Sequence, residues 1–231
     1  MQVFDSPNQD ARPDGVPVDT LVLHYTGMTS GRAAFLRMMD PQAQVSAHWM
    51  VAENGALTAL VPEHRRAWHA GVSFWRGHTG LNARSIGIEI VNPGHEYGYR
   101  PFPEPQMRAV IRLCRAILSR HPIGPQGIVA HSDIAPVRKE DPGELFDWPR
   151  LAREGVGLFP SAPLEGPDTD PATLLAAIGY DTSDLTAAVR AFQRRYRPAR
   201  IDGCADDLTL GLMRAVLKTL TQSGAAPSPA A

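Results

Sequence analysis

Two histidines and an aspartate stand where they could hold a metal. His24 follows the apolar run Leu21-Val22-Leu23, and His131 follows Ile128-Val129-Ala130. Short apolar runs of this kind read as buried strands. A side chain at a strand end is held rigidly while it reaches a cleft, as a catalytic ligand must. Asp141 closes the same stretch, His131-Ser132-Asp133-Ile134-Ala135-Pro136-Val137-Arg138-Lys139-Glu140-Asp141-Pro142-Gly143, whose prolines make a rigid turn. Imidazole nitrogen and carboxylate oxygen bind zinc at about 2.0–2.2 Å, and three protein ligands leave a fourth position open for water. An open site of that kind serves catalysis.

Two further residues could work beside such a metal. In Ser85-Ile86-Gly87-Ile88-Glu89-Ile90-Val91 the isoleucines alternate. A strand would therefore bury Ile86, Ile88 and Ile90 on one face and turn Gly87 and Glu89 to the other. Taken alone, a glutamate in this pattern is most simply a solvent-facing residue on a half-buried strand. Lys139, just before Asp141, is by type a solvated surface cation. Whatever fixes Asp141 nevertheless keeps this lysine near it.

Several segments together resemble the zinc-dependent N-acetylmuramoyl-L-alanine amidases of the AmpD/AmiD and phage T7 lysozyme type, relatives of the peptidoglycan recognition proteins. They are Leu21-Val22-Leu23-His24-Tyr25-Thr26, Ser46-Ala47-His48-Trp49-Met50-Val51, Ala67-Trp68-His69-Ala70-Gly71, Asn82-Ala83-Arg84-Ser85-Ile86-Gly87-Ile88-Glu89, and His131 to Gly143 through Phe146 and Trp148. The resemblance implies zinc on His24, His131 and Asp141, Glu89 as acid/base, and Lys139 as stabiliser of an oxyanion. It also implies the bond cleaved, the amide between the lactyl group of N-acetylmuramic acid and L-alanine. The expected partners are peptidoglycan fragments, including 1,6-anhydro-muropeptides, or the intact sacculus. Without the resemblance the residues lead only to a zinc hydrolase.

Of the eight histidines, His64, His78, His95 and His121 fall in polar or Pro/Gly-rich surroundings and are expected at the surface or in loops. The resemblance implies that His48 and His69, inside its matching segments, are structural or line the groove rather than bind zinc. Trp49 and Trp68 are more simply core residues than sugar platforms. With 23 Lys+Arg against 24 Asp+Glu and a net charge of −1, no global field recruits nucleic acid or an anionic membrane. No apolar run approaches a membrane span. The N-terminal residues lack a basic start, an apolar h-region and a lipobox cysteine. The expected compartment is the cytoplasm, with the periplasm as the alternative. Cys114 and Cys204 give no support for a bridge.

The elements that must position these residues suggest an α/β fold, a mixed central sheet flanked by helices, with a small C-terminal three-helix domain. Met107, Val110, Ile111, Cys114, Ile117 and Leu118 follow helical spacing between Glu104 and Arg120, and a shorter helix is expected from Gly31 to Met39. Residues 1–155 form the expected catalytic domain. The Gly- and Pro-rich stretch at 156–170 reads as a linker or an extended packing segment. Helices are expected over Pro171–Ile178, Ser183–Tyr196 and Asp206–Leu220, a bundle at 171–222 that is marginal alone. This tail resembles a bacterial peptidoglycan-binding domain through Ala188-Val189-Arg190-Ala191-Phe192-Gln193 and Ile201-Asp202-Gly203, but Asp181-Thr182-Ser183-Asp184 departs from the usual preceding turn. Wall binding and a helical cap that stabilises the enzyme both remain open. The run Arg194-Arg195-Tyr196-Arg197-Pro198-Ala199-Arg200 is expected to be a solvated helix end that complements the helix dipole.

Two rival functions are distinguishable by residue content. A non-catalytic peptidoglycan-recognition module would lack ligands or the acid/base, whereas His24, His131, Asp141 and Glu89 are all present. A closed structural zinc site would need a fourth protein ligand, and no cysteine or histidine is aligned to supply one.

Overall fold

The structure, a computed structural model, describes residues 1–224. In chain order it contains β1 (Gln2–Val3), β2 (Gln9–Ala11), β3 (Thr20–Tyr25), α1 (Gly31–Met39), β4 (Trp49–Val51), β5 (Leu57–Ala59), β6 (Arg65–Ala67), β7 (Phe74–Trp75), β8 (His78–Thr79) and β9 (Ser85–Ile90). The short helix α2 (Gly94–Tyr97) and the long α3 (Glu104–Leu118) lead to β10 (Ile128–Ala130), which runs directly into α4 (His131–Ile134). Then come α5 (Trp148–Arg153), α6 (Pro171–Ile178), α7 (Leu185–Tyr196) and α8 (Asp207–Gly224). Side-chain oxygens cap several of the helices at their N-termini. Ser30 accepts from the Ala33 N–H, Asp170 from Thr173 and Asp184 from Ala187.

The main sheet has the order β1-β5-β4-β9-β3-β10, parallel throughout except for the antiparallel β4–β5 pair. It is the mixed sheet expected from the sequence. Successive side chains point to opposite faces of a strand, and this alternation sorts the central strands into two cores. Leu21, Leu23, Ile86, Ile88, Ile90, Ile128 and Ala130 pack with α3 and α5 on one face. Val22 and Val129 point the other way and pack against Leu175, Val189, Phe192 and Met213 of the C-terminal helices. The sheet is thus covered on both faces, which suits parallel strands. The face that receives the C-terminal bundle is the one toward which His24 and Glu89 project.

The C-terminal helices lie where periodicity places them, and they share a core with the sheet. Residues 156–170 pack as they run: Val156 and Leu158 are buried, the Leu164 N–H donates to the Gly211 carbonyl at 2.9 Å, and Arg214 Nη2 donates to the Pro167 carbonyl at 2.7 Å. The tail motif residues build the bundle itself. Phe192 is fully buried, and the Gln193 amide donates to Asp202 and the Cys204 carbonyl while accepting from the Gly203 N–H.

The expectation of a solvated basic helix end is corrected at two positions. Arg195 is only 5% exposed, because α7 turns it inward onto a buried carboxylate, Asp133. Arg194 pairs with Glu140. Helical position near a C-terminus says where a cation is tolerated, but not which way it faces. Both cysteines are free thiols, Cys114 buried and Cys204 exposed. Among the described residues no helix is long and apolar enough to cross a membrane.

Candidate metal centre and active site

The site is assembled by strand register. β3 and β9 are parallel neighbours with His24 directly opposite Glu89, so the two side chains leave the same face side by side. On the other edge of β3, Ala130 of β10 is paired with Leu23, and His131 follows at once. The chain then turns through α4 and returns, with the Ser132 N–H donating to the Asp141 carbonyl at 3.0 Å. This backbone bond brings the third group to the other two.

His24 Nδ1, His131 Nδ1 and Asp141 Oδ2 meet at mutual distances of 2.9, 3.0 and 3.0 Å. All three residues are buried. The surrounding hydrogen bonds assign their protons. His131 Nε2 lies 3.2 Å from the Ala70 carbonyl, which can only accept, so Nε2 carries the hydrogen and Nδ1 a lone pair. For His24 the assignment runs through a chain: the Ser85 hydroxyl donates to the Leu81 carbonyl at 2.7 Å and therefore accepts from His69 Nε2 at 3.1 Å. His69 Nδ1 is then an acceptor for His24 Nε2–H at 3.0 Å, which leaves His24 Nδ1 as a lone pair too. Burial, reinforced by the neighbouring His131, pushes His24 down to about 4, and burial likewise holds His69 well below the usual imidazole range. Burial alone would raise Asp141, but positive charge at the imidazole positions outweighs it and keeps the carboxyl below its ordinary range, so the carboxylate form is the one a cation at this place would meet.

Three acceptors therefore face one another with no proton between them. Buried in this way, they repel unless a cation joins them. Two imidazole nitrogens and one carboxylate oxygen, with second-shell acceptors fixing each ring, form a donor set that fits a three-ligand zinc site.

Glu89 lies beside this set with Oε2 buried and lacking a hydrogen-bond partner. Burial pushes its carboxyl well above the ordinary range, the nearby Asp141 charge adds to the effect, and Lys139 opposes it. Glu89, Lys139, His69, His131 and Asp141 line one cavity of about 660 Å³. A larger hollow, about 810 Å³, lies elsewhere between Leu118, Ile128 and Phe159, but its walls are mostly aliphatic, aromatic and prolyl. The chemistry resides in the smaller one.

Four of the five residues named from the sequence thus line one cleft, and the fifth, His24, meets His131 and Asp141 in its wall. His69 lines the cleft wall and His48 lies behind it, as expected. His48 accepts the Gly87 N–H at Nδ1 and faces the Arg65 carbonyl through Nε2. His64 and His78 are exposed and His121 pairs with Glu63. His95, expected merely at the surface, lies at the cleft rim, stacked on Tyr99 and hydrogen-bonded to Tyr25 and Glu144. Sequence reasoning missed the Ser85–His69–His24 chain. One signal for it was available: a glycine inside a strand marks close approach by another group, and a Cβ at Gly87 would stand 2.5 Å from the His69 ring. It also missed Arg138, whose guanidinium donates to the Ala70 and Val72 carbonyls and so braces the acceptor of His131.

Residues 14–144 match the family model described as N-acetylmuramoyl-L-alanine amidase, Amidase_2. The chain belongs to this amidase family. Among curated relatives, AmiD of Escherichia coli is 39% identical over 235 aligned positions, which cover 89% of this chain and 84% of AmiD. The 1,6-anhydro-N-acetylmuramyl-L-alanine amidase AmpD of Escherichia coli is 35% identical, covering 63% of this chain and 87% of AmpD. A solved structure of Escherichia coli AmiD, in complex with anhydro-N-acetylmuramic acid-L-Ala-D-γ-Glu-L-Lys, superposes with a TM-score of 0.79 at 37% identity and covers 90% of this chain and 92% of the other. AmpDh3 of Pseudomonas aeruginosa superposes at 0.81 with 29% identity, covering 90% of this chain and 95% of the other. The amidase fold therefore extends through the helical tail in relatives of comparable length.

For this amidase, His69→Leu removes the acceptor that fixes the His24 tautomer. Loss of such an outer-shell partner is expected to weaken metal binding by about 10–100-fold. Chelator competition measures it, and an unchanged affinity would remove His69 from the assembly.

Proposed function

We propose that this amidase is zinc-dependent and hydrolyses the amide joining the lactyl carbonyl of N-acetylmuramic acid to L-alanine of the peptidoglycan stem peptide, in cell-wall turnover and recycling. The observation that carries the reading is the convergence of His24 Nδ1, His131 Nδ1 and Asp141 Oδ2 beside a buried carboxyl with an unpartnered oxygen. In this reading His24, His131 and Asp141 hold zinc. Zinc in a three-ligand site supplies Lewis acidity to a water and to a substrate carbonyl oxygen.

The rest is done by the chain's own groups. Glu89 takes the proton of the attacking water at its carboxylate, for which the unpartnered Oε2 is free. Burial then favours the protonated form, so Glu89 retains that proton until it delivers it to the departing amine. The ammonium of Lys139, on the wall of the same cavity, balances the negative charge that develops on the carbonyl oxygen. His69 and the Ala70 carbonyl keep both imidazoles in the tautomer that presents Nδ1.

Small anhydro-muropeptides are the favoured substrates in this proposal, because the relatives AmiD and AmpDh3 have been solved with anhydromuramic peptides in place. The deciding experiment is mass spectrometry of products after the zinc-loaded protein meets a purified 1,6-anhydro-muropeptide or, separately, intact sacculi. Free stem peptide from the small substrate supports recycling, and release from sacculi alone points to wall turnover. Cleavage of neither, with zinc bound, would refute the enzyme reading in favour of a recognition module.

Asp141→Ala is expected to lose zinc and activity together; retention of stoichiometric zinc would exclude Asp141 as a ligand. Glu89→Gln is expected to keep its zinc while turnover falls by about 10²–10⁴-fold; near-normal turnover would eliminate the acid/base role. In the metal-free protein the Glu89 carboxyl, followed by carbon NMR, is expected to titrate above the ordinary midpoint of about 4.3. A midpoint at or below that value would mean that burial does not govern it.

A further inference from the structure

The C-terminal bundle reaches the metal-ligand loop through a buried ion pair. Arg195 Nη1, on α7, donates to Asp133 Oδ2 at 2.7 Å and to the Ile128 carbonyl at 3.1 Å. Its guanidinium lies 4.0 Å over the Trp148 ring. The same Oδ2 accepts the Ala130 N–H at 2.8 Å, and Oδ1 accepts the Tyr180 hydroxyl at 2.6 Å. Asp133 has no exposed surface and Arg195 is 5% exposed. These bonds fall on Ile128, Ala130 and Asp133, on both sides of His131. The turn they fix also donates the Ser132 N–H to the Asp141 carbonyl. A second arginine of the same helix, Arg194, donates to Glu140 at 3.0 Å, next to Asp141.

We infer that Arg195 is a positioning residue for the metal centre: by anchoring Asp133 it holds the His131–Asp141 loop in ligand geometry, so the helical C-terminal region completes the site. This rests on the zinc reading above. A buried ion pair is weak support for stability as such, because desolvation offsets the attraction. Removing one partner leaves an uncompensated buried charge, and here that charge would sit two residues from a ligand. The loop would then relax to admit water to Asp133. Ligand groups misplaced in this way lose metal affinity, as they do when outer-shell partners are removed. A helical cap that only adds packing would change melting temperature without selecting zinc.

The test compares zinc dissociation constants, by chelator competition, in the full-length protein at a temperature below every variant's melting transition. The variants are Arg195→Met, Asp133→Asn/Arg195→Met, and Leu212→Ala, the last of which opens the bundle core at a side chain that makes none of the loop's hydrogen bonds. Arg195→Met is expected to bind zinc about tenfold or more weakly, with turnover recovering at excess zinc. Asp133→Asn/Arg195→Met removes the stranded charge, so it keeps the test available if the single variant fails to fold, and it is expected to stay weak in zinc. Leu212→Ala is expected to lower the melting temperature while zinc binding stays within about twofold, since its truncation leaves the loop's hydrogen bonds in place. Wild-type zinc affinity in the arginine variants, or an equal loss in Leu212→Ala, would overturn the inference and leave the zinc reading intact. A wild-type protein that takes up no zinc would overturn both.

Discussion

Three lone pairs held about 3 Å apart without a proton between them are the constraint around which the rest of the structure is arranged. Such a set is unfavourable by itself, and each imidazole would escape it by rotating or by changing tautomer. The protein blocks both routes. The Ala70 carbonyl holds the His131 hydrogen, and the Ser85–His69 chain holds that of His24. Tautomer control at this depth requires acceptors that cannot themselves become donors, and both chains end on backbone carbonyls.

Sheet architecture accounts for the precision. Parallel strands place neighbouring side chains in lateral register, so that His24 and Glu89 are delivered to the same spot by backbone hydrogen bonds rather than by loop conformation. The ligand-bearing loop is the less regular part, and it receives the densest support. It is tied within itself by Ser132 and Asp141, braced on one side by Arg138 at the Ala70 and Val72 carbonyls, and anchored on the other by Arg195 and Tyr180 on Asp133. The rigid sheet delivers His24 and Glu89, while the supported loop delivers His131, Asp141 and Lys139.

The helical tail acquires a different meaning in this setting. Its core is continuous with the sheet face from which His24 projects, and its motif residues Phe192 and Gln193 are spent on internal packing and on holding the Asp202–Cys204 turn. A bundle of this size buries too little surface to be robust alone. Packed against Val22, Val129 and Ile134, it closes the second face of the sheet and shields the buried carboxylate of Asp133.

Local pattern was enough to read much of this molecule. The apolar runs before His24 and His131, the alternating isoleucines around Glu89 and the periodicity of α3 and of the C-terminal helices are all properties of short segments, and each element appears where its residues place it. The cluster of His24, His131 and Asp141 was legible because residue type, strand-end position and the family resemblance together singled out these three groups. Other features were not legible, since they depend on pairs far apart in the chain. The Ser85–His69–His24 chain, the inward turn of Arg195 onto Asp133 and the position of His95 at the cleft rim join residues whose separation carries no periodic signal. Sequence determined which groups were available and on which strand face they stand. Only the tertiary structure decided which nitrogen of each histidine is presented and which distant cation holds the loop, because hydrogen bonds and buried charges depend on where chains meet.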